Sequence, residues 1–542
     1  MFGINKEKEN EEKKPIGKPE IKKALEVLKK YKTAKMSLEQ RIVEEEKWWR
    51  LRHWEVFSNS VEQQRPKPVS AWMFNSIANK HADAMDNYPE PNVLPREKGD
   101  EASAELLSKI LPVIIENNNF EKTYSDSWWY KLKHGTTAYG VFWNNRLNGG
   151  KGDIDITRID LLNLFWEPGI SDIQASENLF IIQAVNNSLL KSRYPHLTPK
   201  DLSGEAFLKE NAYDPAQDMS EKSVVIDWYY KKEQEGRCVL HYCKFVGETV
   251  LFATENLDEF KDRGLYDHGM YPVVLDNMYP LEGTPAGFGL VSVMKSPQMY
   301  IDRLNQVILE NSVMSSRVRY FAKEGGGIDE NEFLDWSKPI VHVEGSLNEE
   351  RLRRIEVPTV SGNVLGVLEM KIDELKETSG NRDFSQGSTS SGVTAAAAIA
   401  ALQEAGNKTS RDVLSASYRA YTHISYLIIE LVRQFYDSKR VFRITGKDGE
   451  FNYISYVPFD KEDGKSLFDV VIKPQKKSSY SKLSQNELAK EMYKLGFFQP
   501  GNSNQALAAI EIMDFDGKAQ VKEEIRRIAK GGDYQNQNVA KK

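Results

Sequence analysis

The chain has 542 residues, which at roughly 150 per domain sets a prior of about three to four domains. Lys plus Arg number 73 and Asp plus Glu 79, a formal net charge of −6, with 40% hydrophobic and 28% charged residues. That balance excludes a mostly disordered chain, a collagen and a disulfide scaffold, and it argues against tight, sequence-independent DNA binding, which wants a basic excess. Cys238 and Cys243 cannot staple a chain of this length; their spacing on an alternating segment predicts side chains facing opposite ways, in a reduced, intracellular setting. The first residues hold no apolar signal core, and no run of 18 apolar residues occurs, so no membrane span is expected.

Residues 1–50 carry 14 Lys/Arg and 10 Asp/Glu, and Pro15, Gly17 and Pro19 punctuate their start. This predicts a disordered, mixed-charge tail to about residue 18, then a helix on which Ile21, Leu25 and Leu28 recur at helical spacing up to Trp48, Trp49 and Trp54. Arg65-Pro66-Lys67-Pro68 reads as a break. Residues 72–87 suit a helix ended by Tyr88-Pro89-Glu90-Pro91, and 101–146 suit two helices joined at Asn117-Asn118-Asn119. The period then changes to that of strands: Gly140–Trp143, Ile154–Ile159, Phe180–Val185, Val224–Tyr230, Val239–Phe245 and Thr249–Phe252, the last two joined by a turn at Gly247. Residues 193–220 hold Pro195, Pro199 and Pro215 and read as loop with short helix.

From Gly289 the character changes again. Residues 297–317 form a long helical pattern, opened by Ser296 as N-cap with Pro297 in the first turn. Residues 318–358 are a mixed insert with strand-like Val318–Ala322 and a glycine run, Gly325–Gly327. Residues 360–378 are helical, and Thr378-Ser379-Gly380-Asn381 ends that helix with a glycine near C′. A polar loop to Gly392 leads into a very long helical pattern, Val393–Phe435, with Gly406 and Asn407 as its kink. Residues 441–472 return to strand alternation around a turn at Lys447-Asp448-Gly449, and 484–530 read as short helices. Two long helices flanking an insert predict an elongated limb whose apolar stripes need partners from other protomers.

The search for an active site is mostly negative. No phosphate loop of the Gly-x-x-x-x-Gly-Lys-Ser/Thr type occurs, and Gly149-Gly150-Lys151-Gly152 reads as a hairpin turn. No His-Glu-x-x-His exists; the histidines are scattered singly. Ser388-Thr389-Ser390-Ser391-Gly392 lacks the first glycine of a nucleophile elbow and follows a helix rather than a strand. The acid pairs Asp153/Asp155 and Asp514/Asp516 read as turn and surface residues, and no catalytic residue, metal site or cofactor is expected. The loop 381–392 is different: small, polar, with only Arg382 and Asp383 charged, it can touch a polyanion without holding it, although a plain helix–helix connector would read the same way. In the insert, Arg351, Arg353 and Arg354 stand with Glu349 and Glu350, either as a solvated strand face or as a docking patch.

Three stretches resemble a known family, the portal proteins of tailed bacteriophages. The first runs Gly135-Thr-Thr-Ala-Tyr-Gly-Val-Phe-Trp-Asn144, then Gly152-Asp-Ile-Asp-Ile, Trp166-Glu-Pro-Gly169 and Tyr194-Pro195. The second is Gly287-Phe-Gly-Leu290 through Gln298, Asp302 and Asn305. The third is Thr378-Ser-Gly-Asn381 through Gly387 and Ser391-Gly392 to the Ala-rich helix ending near Gly406. The resemblance covers residues 70–510 and rests on the order of these stretches around an insert.

The resemblance implies an α+β, portal-like elongated protomer with a helical stem, an α/β clip, a mixed α/β wing and a helical crown. It maps residues 19–288 and 437–482 to the wing, 289–317 and 359–380 to the stem helices, 318–358 to the clip, 381–392 to the tunnel loop, 393–436 to the long kinked helix and 483–542 to the crown. It implies a homo-oligomeric ring of usually twelve subunits at the unique capsid vertex of the virion, assembled in the bacterial host cytoplasm, through which double-stranded DNA passes during packaging and ejection. The tunnel loop facing that DNA would be Arg382, Asp383, Phe384, Ser385, Gln386, Gly387, Ser388, Thr389, Ser390 and Ser391. The clip would dock the terminase large subunit and later head-completion or adaptor proteins; major capsid and scaffolding proteins are further implied partners. The long C-terminal helical barrel of some short-tailed phage portals is not expected. Residues 360–378 set Glu369, Asp373, Glu374 and Glu377 against Lys371 and Lys376, a net of −2 that would keep DNA centred by repulsion. A head–tail adaptor ring, and a metal-dependent nuclease at the same vertex, are the competing readings.

Overall fold

The computed structural model describes residues 15–57, 65–195, 221–234, 236–316, 359–380, 408–437 and 489–512, with shorter pieces at 197, 213, 319–322, 329, 331–332, 342, 352–355, 440–445, 451–456, 468–476, 518 and 521–527. The chain forms two compact units, one of residues 1–83 and 91–472 and one of 84–90 and 473–542.

Helix α1 (Lys18–Trp49) starts inside the expected tail. Ile16 is already buried, and the Gly17 N–H donates to Glu20 Oε2 at 3.0 Å, one half of a capping box. A short α2 (His53–Val56), then α3 (Trp72–Asp86) and strand β1 (Asn87–Pro95) follow. Pro89 and Pro91 lie inside β1 rather than merely ending a helix; a two-stranded sheet has open edges on which a missing N–H costs nothing. Helices α4 (Glu101–Asn117) and α5 (Phe120–His134) meet at Asn119, a left-handed residue with φ 50°.

The chain then lays down β2 (Thr136–Asn144), β3 (Asp153–Ile159), β4 (Leu164–Trp166), β5 (Asn178–Asn186), the short helix α6 (Asn187–Arg193), β6 (Lys222–Gln234), β7 (Arg237–Val246), β8 (Thr249–Ala253) and β9 (Val273–Asn277). These make two antiparallel sheets, β3-β2-β9 and β4-β5-β6-β7-β8. Helix α1 covers the larger sheet: Ile21, Ala24, Leu28 and Tyr31 pack with Phe165, Phe180, Ile226, Trp228 and Phe245. Lys35 reaches under it, its Nζ donating to the carbonyls of Leu161 and of Leu164 (2.7 Å); burial lowers this amine to about 8 against the pull of Glu39. On β7, Cys238 is exposed and Cys243 buried, as the spacing required.

Helix α7 (Leu290–Ser316) begins well before Ser296, with Pro297 inside it and buried. The turn upstream is fixed by tertiary contacts described below, and Pro297 forgoes one ladder bond. Strands β10 (Arg319–Ala322) and β11 (Leu352–Ile355) pair antiparallel and close the base of the insert. Helix α8 (Gly362–Thr378) is capped by the Ser361 side chain, packs on α7 and ends before Gly380 at φ 67°. Helix α9 (Lys408–Phe435), the hairpin β12 (Arg440–Thr445) and β13 (Phe451–Tyr456), and β14 (Phe468–Lys476) complete this run of elements. In the second unit α10 (Ser503–Ile512) builds a small core from Ala506, Ile510 and Ile525.

Helices α5 and α9 cover the smaller sheet through a buried ion pair. Lys131 Nζ donates to Asp276 Oδ1 and to Ser417 Oγ, both at 2.6 Å, and Ser417 Oγ donates to Asp276 Oδ2 at 2.7 Å. All three residues are buried, and burial lowers the lysine against the opposing pull of Asp276. Lys131→Met leaves Asp276 as an uncompensated buried charge and should cost about 3–5 kcal/mol, read from the denaturant midpoint. The triple change Lys131→Met, Asp276→Leu, Ser417→Ala should recover most of that loss; a triple variant no better than the single one would show that the pair itself holds the layers together.

Candidate functional site: the stem and its anchorage

Two of the sequence stretches, distant along the chain, meet at the foot of α7. Gly135, at φ 85°, ends α5, and a Cβ there would lie 2.0 Å from the Phe288 carbonyl carbon. A Cβ on Gly289 would lie 2.6 Å from Gly135 N, and one on Gly287 would lie 2.1 Å from the Tyr279 carbonyl oxygen. Only glycine permits such backbone contact. Thr136 Oγ1 accepts from Gly287 N at 2.6 Å and donates to Asn277 Oδ1 at 2.7 Å, joining the two glycine stretches to β9.

Charged groups hold the next turn. His134 Nδ1 lies 3.0 Å from Glu45 Oε2, and Ser292 Oγ of α7 donates to Glu45 Oε1. Lys133 Nζ donates to Glu46 Oε2 at 2.7 Å, and His134 Nε2 is 3.4 Å from the same oxygen. Burial alone would raise the Glu46 carboxyl, but the hydrogen bond to His134 and the Lys133 charge outweigh it and hold it down at about 2.

Further along, α7 is laced to the segment 66–73, which sequence reasoning took only as a break. Ser70 N donates to Asp302 Oδ1 at 3.0 Å, Gln298 Nε2 to the Ser70 carbonyl at 2.8 Å, and Asn305 Nδ2 to Ser70 Oγ at 2.9 Å. Met73 N donates to Gln298 Oε1 at 3.2 Å, and Gln306 Nε2 to the Pro66 carbonyl at 3.0 Å. The other Asp302 oxygen is 2.5 Å from His53 Nδ1, and His53 Nε2 is 3.1 Å from the Trp48 carbonyl; both His53 and Asp302 are fully buried. Gln298, Asp302 and Asn305 stood in the sequence as part of the second stretch that resembles the portal family. Their partners Ser70 and His53 did not, since nothing local marks them.

Beyond this clamp the stem is bare. Val307, Leu309, Val313 and Met314 of α7 and Leu365, Val367 and Met370 of α8 are exposed, each between 39% and 57%. On α8 Leu375 is fully buried, and Lys371, one turn before it, lies over the Tyr300 ring of α7 at 5.4 Å, which marks this side as the one turned to α7. At about 100° per residue from Leu375, Glu369, Asp373 and Glu377 fall near ~120°, ~160° and ~200°, on the side away from α7. Leu365 at ~80° flanks that stripe on one side, and Met370 at ~220° with Val367 at ~280° on the other. Glu374 pairs with Lys371 at 2.6 Å, whereas the three stripe acids have no ion-pair partner among the described residues.

Of the residues singled out from sequence, Arg353 and Arg354 lie on β11. The register sets Arg353 opposite Phe321 and Arg354 opposite Tyr320, so the two positions alternate along the ladder. Arg319 shares the face of Arg353. Arg351, Glu349, Glu350, the whole loop Arg382–Ser391, and Gly406 and Asn407 lie outside the described residues. Among the described residues no group of three or more His, Cys, Asp or Glu could hold a metal ion, and no helix is long and apolar enough to cross a membrane.

A mixed α and β chain with two packed helices on either side of an insert, clamped to a sheet-bearing body at one end and bare at the other, has the parts of a ring-forming protomer. The sequence matches the model of the phage P22-like portal protein family over residues 59–273 and 277–541, so the chain belongs to that family of tailed-phage portal proteins. No curated protein matches it.

The Glu46 contacts carry a pH dependence. The folded carboxyl sits below its ordinary value of 4.5, so this stabilisation is complete above about 4.5 and is lost as pH falls toward about 2. Glu46→Gln should lower stability at neutral pH and flatten the acid limb of a urea-denaturation series. An acid limb with the wild-type slope would show that Glu46 carries none of it.

Proposed function

We propose that this portal protein forms a ring at the capsid vertex in which the stems of neighbouring subunits close a DNA channel, with the clip docking the packaging terminase and later the head-completion proteins. The family is structural rather than enzymatic and implies ring assembly with capsid and terminase partners. The observation that carries the channel reading is the pattern on α8: an acidic stripe with no ion-pair partner among the described residues, bordered on both sides by exposed apolar residues. In a ring the two apolar flanks meet the neighbours, and the stripe Glu369, Asp373, Glu377 faces the lumen. Repeated around the ring, these carboxylates repel the DNA backbone and keep it from sticking to the wall.

Energy for translocation comes from a separate ATPase, since this chain carries no phosphate loop. The loop Arg382–Ser391 is proposed to contact DNA at the stem's inner end, and Gly406 and Asn407 to bend the long helix behind it. Arg351, Arg353 and Arg354, with Glu349 and Glu350, are proposed to dock partners at the clip. Twelve subunits is the proposed count.

Ring formation through the stem flanks is tested by light scattering on a sizing column with negative-stain images. Wild-type protein, with scaffolding protein supplied where assembly needs it, should give rings of about a dozen subunits. Val313→Asp with Leu365→Asp should shift the mass to monomer while leaving the far-ultraviolet circular dichroism unchanged; rings formed by the double variant would show that other surfaces hold the subunits. Deletion of Phe384–Ser391 should leave ring mass unaltered and reduce packaged DNA by at least tenfold in an in-vitro packaging assay. Loss of ring assembly in that deletion would mark the loop as structural.

A further inference from the structure

We propose that the solvent-facing side of helix α1 is a binding surface for the backbone of double-stranded DNA, separate from the acidic stripe of the stem. The choice of DNA among polyanions rests on membership of a family that packages a genome. The surface itself rests on how α1 sorts its charges.

In the sequence, α1 is a mixture: eight Lys, one Arg and six Glu lie between Lys18 and Trp49. The fold separates them. Five of the six carboxylates are engaged inside the protomer. Glu20 accepts from Gly17 N, Glu39 lies 3.6 Å from Lys35 Nζ, and Glu44 lies 3.3 Å from Lys295 Nζ. Glu45 and Glu46 hold His134, Ser292 and Lys133 at the foot of α7.

The lysines of the first turns go the other way. Lys18, Lys22, Lys23, Lys29 and Lys30 are all exposed. Among the described residues only Lys22 has an ion-pair partner, Glu248 of the β7–β8 turn at 3.5 Å, and that pair is itself open to solvent. Leu28 packs on the larger sheet. Measured from it at about 100° per residue, the five lysines fall between ~80° and ~220°, on the side away from the sheet. Lys18, Lys22 and Lys29 form one row, and Lys23 and Lys30 a second. Glu26 lies between the rows, makes no ion pair among the described residues, and leaves this face a net 5 − 1 = +4 on a chain of −6.

Lysine ammonium groups on flexible stems are point charges, which take phosphate without reading sequence. The two rows extend about 18 Å along the helix. A duplex carries one negative charge per ~1.7 Å of its axis, so these rows can meet several phosphates at once and release their counterions. Binding of this kind is weak and salt-labile, which fits the chain's overall negative charge. It is also opposite in sign to the stripe Glu369, Asp373, Glu377: the stem repels DNA that has to move, and α1 holds DNA loosely outside the channel.

The test uses the full chain, assembled as the ring, and a covalently closed circular duplex. Such a circle cannot thread the channel, so its binding reports on outer surfaces. In a gel-shift series, wild-type rings should bind the circle at 50 mM NaCl, with log K falling linearly against log[NaCl]. Lys23→Gln with Lys30→Gln removes two of five contacts and should flatten that slope by about two fifths. Glu26→Lys should steepen it by about one fifth. Ring mass should be unaltered in both. No binding by wild-type rings, or a wild-type slope in the double variant, overturns the proposal. Loss of the ring in the double variant overturns it too, because the face is then a contact between subunits. Equal affinity for a poly-glutamate chain of matching charge would mark a docking surface for an acidic protein and remove DNA as the occupant. Light scattering on the same samples tests the ring separately: a chain that stays monomeric yet shows the lysine-dependent slope removes the ring reading and upholds the DNA surface.

Discussion

The stem can be long and exposed only because its foot is locked. The lock is a backbone-to-backbone contact, Gly135 against Phe288 and Gly289, at a separation that no side chain permits. It places the end of α5 against the start of α7, and the first turns of α7 then meet Glu45, Ser70 and His53 in a fixed register. Remove the contact and α7 loses the alignment that lets Asp302 accept from Ser70 while it faces His53. The polar groups buried there are satisfied only in that register, so a shifted helix would strand them without water.

Anchorage divides the work between the two stem helices. The first half of α7 commits its polar side chains to Glu45 and the segment 66–73, which leaves α8 free to present both an acidic stripe and apolar flanks. On the protomer alone, exposed Leu365, Val367 and Met370 are a liability. In a family that assembles rings, such residues are a surface that a neighbouring subunit would cover.

Much of this was legible in the sequence, for physical reasons that vary by element. Strands β2 to β8 alternate strongly enough to be read directly, apart from the short β4, and the Asn117–Asn119 join and Gly380 end announce themselves through turn chemistry. The glycine stretches at 135 and 287–289 stood out as motifs, although their mutual contact is tertiary and has no local signature. Misreadings cluster where a local rule met a tertiary override. Ser296-Pro297 has the form of a helix start, yet packing extends α7 back to Leu290. Pro89 and Pro91 do stop α3, which ends at Asp86, and the same residues also lie in β1, which no stop signal announces. Arg65–Pro68 is a break between helices, as its prolines indicate, and it also begins the strap that α7 grips through Gln306, Asp302 and Gln298.

The most direct test of the account is a cryo-electron microscopy map of the assembled ring. It predicts a central channel lined at the stem by Glu369, Asp373 and Glu377, with Leu365 and Met370 of each subunit buried against its neighbours. A ring in which those acids lie on the outer surface, or in which the apolar flanks remain in solvent, would contradict it.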